Sequence, residues 1–144
     1  MYHKRRYKPI YPNKYEGDPT NIVMRSSWET KFALWCDRNP AVVKWSSEET
    51  IIPYRCQTDN KLHRYFVDFR IKVKQIDGSL KTYIIEIKPD AQTRPPEFPG
   101  RKTKKFIIES FTFVKNQSKW KAAEQWCLDR GYEFKILTER DLNI

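Results

Sequence analysis

The sequence predicts a mixed α/β domain in which a central mixed β-sheet is flanked by helices, and three observations support this. Two segments, Ser26–Arg38 and Ser118–Arg130, carry aromatic residues at helical spacing. Between them, residues 64–74 and 82–88 are typical of strands. Residues 132–137 form a strand-like segment after the second helix, and such a crossover often adds a parallel pair to a sheet.

The composition indicates one folded domain with a polyanionic partner. The chain has 144 residues, of which 39% are apolar, including 5 Trp, 8 Tyr and 8 Phe. This content supports a hydrophobic core and argues against disorder. The net charge of +10 favours nucleic acid as the partner, with a merely basic soluble domain as the alternative. No apolar run approaches the roughly 18 residues of a membrane span, so no membrane partner is expected.

Residues 1–20 predict a basic, extended N-terminal arm ahead of a single domain over residues 21–144. Three prolines interrupt any periodicity in the arm, and Glu16 is its first acid. Such an arm would lie along DNA phosphates, and a solvated tail is the alternative. The arm residues predicted to contact DNA are Lys4, Arg5, Arg6 and Lys8.

The first predicted helix carries an acid with two interpretations. Ser26 and Glu29 stand in the register of a capping box, and Asn39-Pro40 ends the helix. Glu29 is therefore either a helix cap or a functional acid that faces the later strands. Four tryptophans are assigned to core packing rather than to base stacking: Trp28, Trp35, Trp120 and Trp126.

The central segments predict an antiparallel meander. Residues 50–54 form an edge strand, because Pro53 cannot donate to a ladder. Residues 64–74 are predicted as one strand, with Val67, Phe69, Ile71 and Val73 on one face and Asp68 on the other. In the returning strand, Ile85 and Ile87 share one face, while Glu86 and Lys88 share the other.

Beyond this strand the sequence predicts a proline-rich loop, a basic cluster and a helix. Residues 89–100 form the loop, and residues 106–114 fit either a helix or a strand. The second helix stops at Gly131. The basic cluster favours phosphate contact over a merely solvated face, and its members are Arg101, Lys102, Lys104 and Lys105.

The three cysteines predict reduced thiols rather than disulfides, since their number is odd and no Cys-x-x-Cys motif occurs. Cys56 and His63 are conceivable zinc ligands. Their spacing fits no usual zinc motif, so no zinc site is expected.

Two strand-borne acids predict a divalent cation site. Asp68 precedes Glu86 by 86 − 68 = 18 residues, the separation of neighbouring strands joined by a turn. If the strands pair, both carboxylates point to one place and repel each other unless a cation lies between them. Oxygen ligands suit Mg²⁺ or Mn²⁺. The Ile87 carbonyl and Glu29 are further candidate ligands, and Lys88 is placed to orient a water that the metal activates and to stabilise the charge of the transition state.

This pattern resembles the PD-(D/E)xK nuclease superfamily, which has the restriction-endonuclease-like fold. The matching residues are Val67-Asp68 and Glu86-Ile87-Lys88, with Val67 in place of the usual proline. The order of helix with Glu, strand with Asp and strand with Glu-x-Lys is also similar to TnsA-type transposon endonucleases and to very-short-patch repair nickases.

A resemblance over nearly the whole chain is to the head completion nucleases of T-even-type tailed phages. It covers the tyrosine-rich basic start and motifs such as Arg25-Ser26-Ser27-Trp28-Glu29, Ile52-Pro53-Tyr54-Arg55 and Glu86-Ile87-Lys88-Pro89. It implies a Mg²⁺-dependent DNA endonuclease that acts after DNA packaging, with Glu29, Asp68, Glu86 and Lys88 as its catalytic set and Gln92 as a further candidate.

The same resemblance implies double-stranded DNA as substrate, with the capsid portal or other head completion proteins as partners, in the virion and the host cytoplasm. Two other functions stay open. One is a DNA-binding structural protein that completes the capsid with a silent nuclease site. The other is a mismatch-repair nickase or transposase subunit, which would be expected to carry zinc in the nickase case.

Overall fold

The computed structural model describes residues 2–144, with side chains from Lys4 onward. The strands of the described chain are β1 (Tyr2–Arg6), β2 (Val23–Ser26), β3 (Val42–Ser47), β4 (Ile51–Cys56), β5 (Lys61–Phe66), β6 (Phe69–Lys74), β7 (Leu80–Ile87) and β8 (Glu133–Leu137). The helices are α1 (Ser27–Arg38), α2 (Lys104–Arg130) and α3 (Glu139–Leu142), with 3-10 turns at Pro12–Lys14 and Asp90–Thr93. Across residues 2–144, no helix is both long and apolar enough to cross a bilayer.

The central sheet has the strand order β3-β6-β7-β8. Strand β6 pairs antiparallel with β3 and β7, whereas β7 and β8 are parallel. A parallel pair needs a long crossover, and α2 supplies it between β7 and β8. The predicted fold class, a mixed central sheet flanked by helices, is therefore confirmed.

The two faces of β7 pack in different cores. Ile85 and Ile87 lie in the core that α1 covers, and Ile84 lies in the core that α2 covers. The predicted alternation is thus confirmed. Glu86 follows the same alternation and projects to the α2 side, where its carboxylate meets Trp120. The strand thereby presents an acid to the space between the sheet and α2.

The prediction of one continuous strand over residues 64–74 is wrong. The chain forms β5, leaves the strand conformation at Val67-Asp68 and continues as β6 in a different sheet. Val67 packs in the α2 core and Phe69 in the α1 core, so the two do not share a face as strict alternation predicted. Asp68 consequently lies where the chain passes from one sheet to the other.

Helix α2 settles the ambiguity over residues 106–114 in favour of helix. Its 27 residues span about 40 Å at 1.5 Å per residue. The Thr103 side chain caps its first turn by accepting from the Phe106 amide at 3.1 Å. Gly131 ends it in the left-handed conformation, with φ of 71°.

Residues 4–20 of the basic segment contact the rest of the domain at several points, and Met1 lies outside the described residues. Strand β1 pairs antiparallel with β2. The fully buried carboxylate of Asp37 accepts from the Tyr7 hydroxyl at 2.8 Å and from the Ile10 amide at 2.7 Å. Lys14 donates to three carbonyl groups at the end of α1, and Tyr15 lies in the core. Tyr7, Lys14 and Tyr15 thus pack against the domain, whereas Tyr11 is 55% exposed.

The tryptophan assignments are correct for three of the four residues. Trp120 is buried, and Trp28 and Trp126 pack partly buried against the two cores. Trp35 is 48% exposed, so its assignment to the core is wrong. Its ring stacks on Phe32 and lines an apolar groove on the α1 side of the sheet.

Candidate active site

Asp68 and Glu86 converge at one end of the central sheet. Strands β6 and β7 pair Phe69 with Ile85, and the same register continued by one residue sets Asp68 opposite Glu86. The Asp68 Oδ2 atom accepts from the Ile87 amide at 2.8 Å, which fixes the carboxylate beside the strand. The Asp68 carboxyl is close enough to the Glu86 carboxyl for the two to interact, and Glu86 is only 4% exposed. The structure therefore brings together the two acids that the sequence singled out.

The environment of this pair strongly disfavours two negative charges. Burial raises the pKa of Asp68 well above its ordinary value, and the Glu86 charge and its hydrogen bond raise that pKa further. Either a shared proton or a bound cation relieves the repulsion. Two carboxylates with an adjacent backbone carbonyl form the oxygen-rich donor set that Mg²⁺ and Mn²⁺ prefer, so these residues fit a divalent cation.

Glu29 lies at the same end of the molecule, in the first turn of α1. Its amide donates to the Ser26 Oγ atom at 3.1 Å, which confirms Ser26 as the helix cap. Its carboxylate accepts from the Arg25 amide at 3.2 Å, rather than from the Ser26 amide that a capping box would use. Burial raises the pKa of Glu29, and the negative charges of Glu48 and Glu86 add to the rise. Glu29 is thus close enough to Glu86 for the negative charge of Glu86 to raise the pKa of Glu29.

Glu48 is a fourth acid at this end, and the residue-by-residue reasoning gave it no role. It follows β3 with a φ of 56°, in the left-handed region that side-chain-bearing residues rarely adopt. Its amide donates to the Asp68 carbonyl at 3.3 Å, and its carboxylate accepts from the Arg25 Nε atom at 2.8 Å. The sequence feature that could have identified Glu48 is its position directly after the buried strand β3.

Lys88 extends one pleat beyond Glu86, as predicted from strand alternation. Its Nζ atom lies 4.0 Å from the Glu86 Oε2 atom, and its side chain is 24% exposed. Its amide donates to the Leu137 carbonyl at 3.0 Å, so the backbone at this point is held by β8. The ammonium group is therefore positioned beside the acid pair and accessible to solvent.

Three side chains from α2 and β5 complete the surroundings of Glu86, and sequence reasoning did not connect them to the acids. The Trp120 Nε1 atom donates to the Glu86 Oε2 atom at 3.1 Å. The Tyr65 hydroxyl is buried, and its pKa is raised by burial first and then by the charges of Glu86 and Asp68. Lys119 lies over the Tyr65 ring at 5.5 Å, and burial lowers its pKa.

Helical periodicity identified Trp120 as a buried residue but not its polar partner. Only the packing of α2 on one particular face of β7 brings the indole, Lys119 and Glu86 together. In the sequence, the adjacent Lys119 and Trp120 on the predicted helix are the only indication that α2 contributes to the site.

The predicted DNA contacts lie at two separate places. Lys4, Arg5 and Arg6 belong to β1, with Lys8 just after it, and all four are exposed. The second group precedes and opens α2, and its members Arg101, Lys102, Lys104 and Lys105 are exposed as well. Gln92 is exposed on the 3-10 turn after β7, where it lines a groove with Glu109 and Phe113.

Comparison with known proteins identifies the family of this chain. The family model described as TnsA-like endonuclease N terminal matches residues 39–139, a stretch that contains Asp68, Glu86 and Lys88 and begins after Glu29. The chain is also 41% identical over 146 residues to the head completion nuclease of Enterobacteria phage T4, a match that covers 99% of this chain and 95% of that protein. The resemblance inferred from sequence motifs is confirmed, and the chain belongs to the TnsA-like endonuclease family.

Proposed function

We propose that the protein is a divalent-metal-dependent DNA endonuclease that hydrolyses phosphodiester bonds in double-stranded DNA. The observation that carries this proposal is the convergence of Asp68 and Glu86, which lie side by side with Lys88 at one end of the sheet. A pair of buried carboxyls beside an ammonium group adds little to stability. A catalytic site explains why the protein tolerates the unfavourable burial of these carboxyls, because active sites use burial and neighbouring charges to shift pKa values.

The cation would be held by Asp68, Glu86 and the Ile87 carbonyl, with Glu29 as a further ligand or a partner through water. When bound, Mg²⁺ or Mn²⁺ supplies charge neutralisation at the scissile phosphate and activation of the attacking water. The arrangement corresponds to the Asp…Glu-x-Lys pattern of the PD-(D/E)xK superfamily. Its support here is the geometry of the acids and the raised pKa of Asp68.

The remaining groups have roles that follow from their positions. Lys88 faces solvent 4.0 Å from Glu86 and would orient the attacking water and stabilise negative charge on the phosphate. Trp120 holds one oxygen of Glu86 by its hydrogen bond. Lys119 has a lowered pKa, which favours proton donation to the departing oxygen.

The exposed basic residues would bind the DNA backbone without reading bases. The two groups, one on β1 and one at the start of α2, contain flexible lysine and arginine side chains that face solvent. Phosphate contacts of this kind give affinity that falls steeply with salt and carries little sequence specificity.

For the biological role, we propose completion of phage heads after DNA packaging. The support is the similarity to a protein named head completion nuclease. The protein would then act on the packaged DNA end near the portal vertex, with the portal or other head completion proteins as partners, in the virion and the host cytoplasm.

Plasmid nicking in the presence of Mg²⁺ tests the enzymatic proposal. The wild-type protein is expected to nick supercoiled DNA, and Asp68→Ala and Glu86→Ala to lose the activity. Asp129→Ala is the matched control, since Asp129 is an exposed acid on α2. Equal nicking by all four preparations would indicate a contaminating nuclease and end the proposal.

A structural capsid-completion protein with a silent nuclease site is the second candidate. The exposed basic groups favour it, because they explain DNA binding without any chemistry. It predicts that a phage carrying Asp68→Asn still forms infectious particles. Loss of infectivity, with the variant folded and incorporated into heads, would exclude it.

A further inference from the structure

We propose that the turn of the β4–β5 hairpin is a second metal site, for a zinc-like transition-metal ion, formed by the Cys56 Sγ, Asp59 carboxylate and His63 Nε2 atoms. These three ligand atoms all lie within 4.8 Å of one another. The spacing of Cys56 and His63 taken alone matches no usual zinc motif. The structure adds Asp59 between them and closes the hairpin so that all three meet.

The hairpin backbone holds the three side chains without help from an ion. Cys56 and Lys61 are the last paired residues of the ladder, and the Asn60 amide donates to the Cys56 carbonyl at 2.7 Å. Asn60 adopts a φ of 57°, which turns the chain sharply. The Asp59 Oδ1 atom accepts from the Lys61 amide at 3.0 Å, and this leaves Oδ2 to face the imidazole. Little conformational entropy therefore remains to be lost when a cation binds.

The ligand chemistry suits zinc better than magnesium. Thiolate, imidazole and carboxylate are the usual zinc ligands, whereas magnesium takes oxygen ligands alone. The Thr58 hydroxyl lies 2.9 Å from the Cys56 Sγ atom. Such a partner orients a ligand and stabilises its ionised form. Water would occupy the fourth position.

The distances require only small side-chain movements. Bonds of about 2.0–2.3 Å in a tetrahedral site put neighbouring ligand atoms about 3.3–3.8 Å apart. The Asp59 Oδ2 and His63 Nε2 atoms are 2.7 Å apart and would open, while the most distant ligand pair, at no more than 4.8 Å, would close. Binding would displace the proton between Asp59 and His63 and the thiol proton of Cys56.

A hydrogen-bonded Asp–His pair on an exposed turn is the simpler interpretation, and it accounts for two of the three residues. In that interpretation burial explains the thiol, since Cys56 is 1% exposed and packs in the α2 core. Burial does not, however, require the thiol to lie within 4.8 Å of the other two ligand atoms. The Tyr54 ring stacks on the His63 imidazole at 5.5 Å and so holds the ring toward the other two ligands.

The location suggests what the ion would do. Gln57 and Thr58, at the tip of the hairpin, line a groove that is bordered on its other side by Lys102 and Phe106. An ion bound at Cys56, Asp59 and His63 would therefore rigidify the wall opposite the basic cluster at the start of α2. The site shares no residue with the acid pair, since its ligands are Cys56, Asp59 and His63.

Cobalt substitution in the full-length protein tests the site. The acid pair is silenced in all samples by Asp68→Asn and Glu86→Gln, so that it does not contribute ligand-field bands. Addition of Co²⁺ is expected to produce a thiolate-to-cobalt charge-transfer band at one equivalent. Cys56→Ser and His63→Ala should lose that band, and Cys127→Ser, which changes a buried thiol on α2, should keep it.

X-ray absorption on the zinc-loaded protein with the acid pair silenced gives a measurement that needs no change in the hairpin. The expected first shell contains one sulfur at about 2.3 Å and nitrogen or oxygen atoms at about 2.0 Å. A shell without sulfur, a cobalt band that survives Cys56→Ser, or failure to retain zinc after buffer exchange would overturn the proposal. None of these outcomes bears on plasmid nicking by the wild-type protein.

Discussion

The Trp120 indole donates a hydrogen bond to the Glu86 carboxylate at 3.1 Å and so connects the crossover helix to the acid on β7. Both side chains are buried, with relative exposures of 5% and 4%. An indole N–H is a donor only and a carboxylate an acceptor only, which makes the pairing one-directional and fixes one oxygen of Glu86. The same oxygen, Oε2, lies 4.0 Å from the Lys88 Nζ atom.

Removing this donor while keeping the aromatic ring should impair activity. Trp120→Phe gives up a hydrogen bond to a charged group, worth about 1.5–3 kcal/mol, and we expect nicking to slow by about 10- to 100-fold. Trp126→Phe on the same helix is the control, since the Trp126 ring packs against Tyr132 and Arg130 instead. Equal rates for the two variants would show that the indole does not position Glu86.

Neutralising Asp68 should stabilise the protein while abolishing nicking. The folded-state pKa of Asp68 is raised above its unfolded value by burial and by Glu86. Asp68 therefore contributes most to the free energy of unfolding at pH values below the pKa that it has in the unfolded state. This contribution is lost as the pH rises through the pKa that Asp68 has in the folded state. Asp68→Asn stays neutral, so at neutral pH we expect its free energy of unfolding to exceed that of the wild type by about 0.5–2 kcal/mol.

Thermal unfolding in the presence of a chelator measures this difference. The two proteins should converge below about pH 3, where Asp68 is protonated in both the folded and unfolded states. A variant that is equally or less stable than the wild type at neutral pH would contradict the electrostatic account of the acid pair.

Lys119 should matter for catalysis although it lies outside the Glu-x-Lys pattern. Burial lowers its pKa, and it lies among Glu86, Asp68 and Lys88. We expect Lys119→Met to reduce the nicking rate by about 100-fold, the scale of a lost general acid. Lys121→Met removes an exposed lysine two residues further along α2, whose charge does not act on Lys119, and should change the rate by less than about twofold. Matching losses in both variants would point to DNA binding instead.

Charge reversal in the basic cluster should flatten the salt dependence of DNA binding. Each phosphate contact contributes a slope of about 0.9 in log affinity against log salt, so Lys102→Glu with Lys104→Glu should reduce the slope by about 2. Lys74→Glu is the control, because Lys74 is exposed at the end of β6 away from Asp68. An unchanged slope in the double variant would place the DNA elsewhere.

Asp37 should be required for the stability of the N-terminal segment. Its carboxylate accepts from the Tyr7 hydroxyl and from the amides of Ile10 and Tyr11. Asp37→Ala leaves these donors unpaired, at a cost of about 2–5 kcal/mol in the free energy of unfolding. Asp129→Ala removes an exposed acid and should cost less than about 0.5 kcal/mol. Similar denaturant midpoints for the two variants would show that the segment is not anchored there.

Local pattern was sufficient wherever a feature depended on neighbours in sequence. Aromatic spacing predicted α1 and the second half of α2, and alternation placed Ile85 and Ile87 on one face and Glu86 on the other. The Ser26 cap and the Gly131 stop are likewise local features. These predictions hold because they depend on the spacing of apolar residues, which repeats about every 3.6 residues in a helix and every two residues in a strand. About a dozen consecutive residues are enough to show that spacing.

By itself, the sequence determined α1, the second half of α2, the basic charge and the face of β7 on which Glu86 lies. The tertiary structure alone decided the break at Val67-Asp68, the packing of residues 2–20, and the approach of Glu48, Tyr65, Lys119 and Trp120 to the acid pair. The physical reason is that a repeat specifies which side of a segment is apolar but not which surface covers it. That choice depends on contacts between residues far apart in the chain.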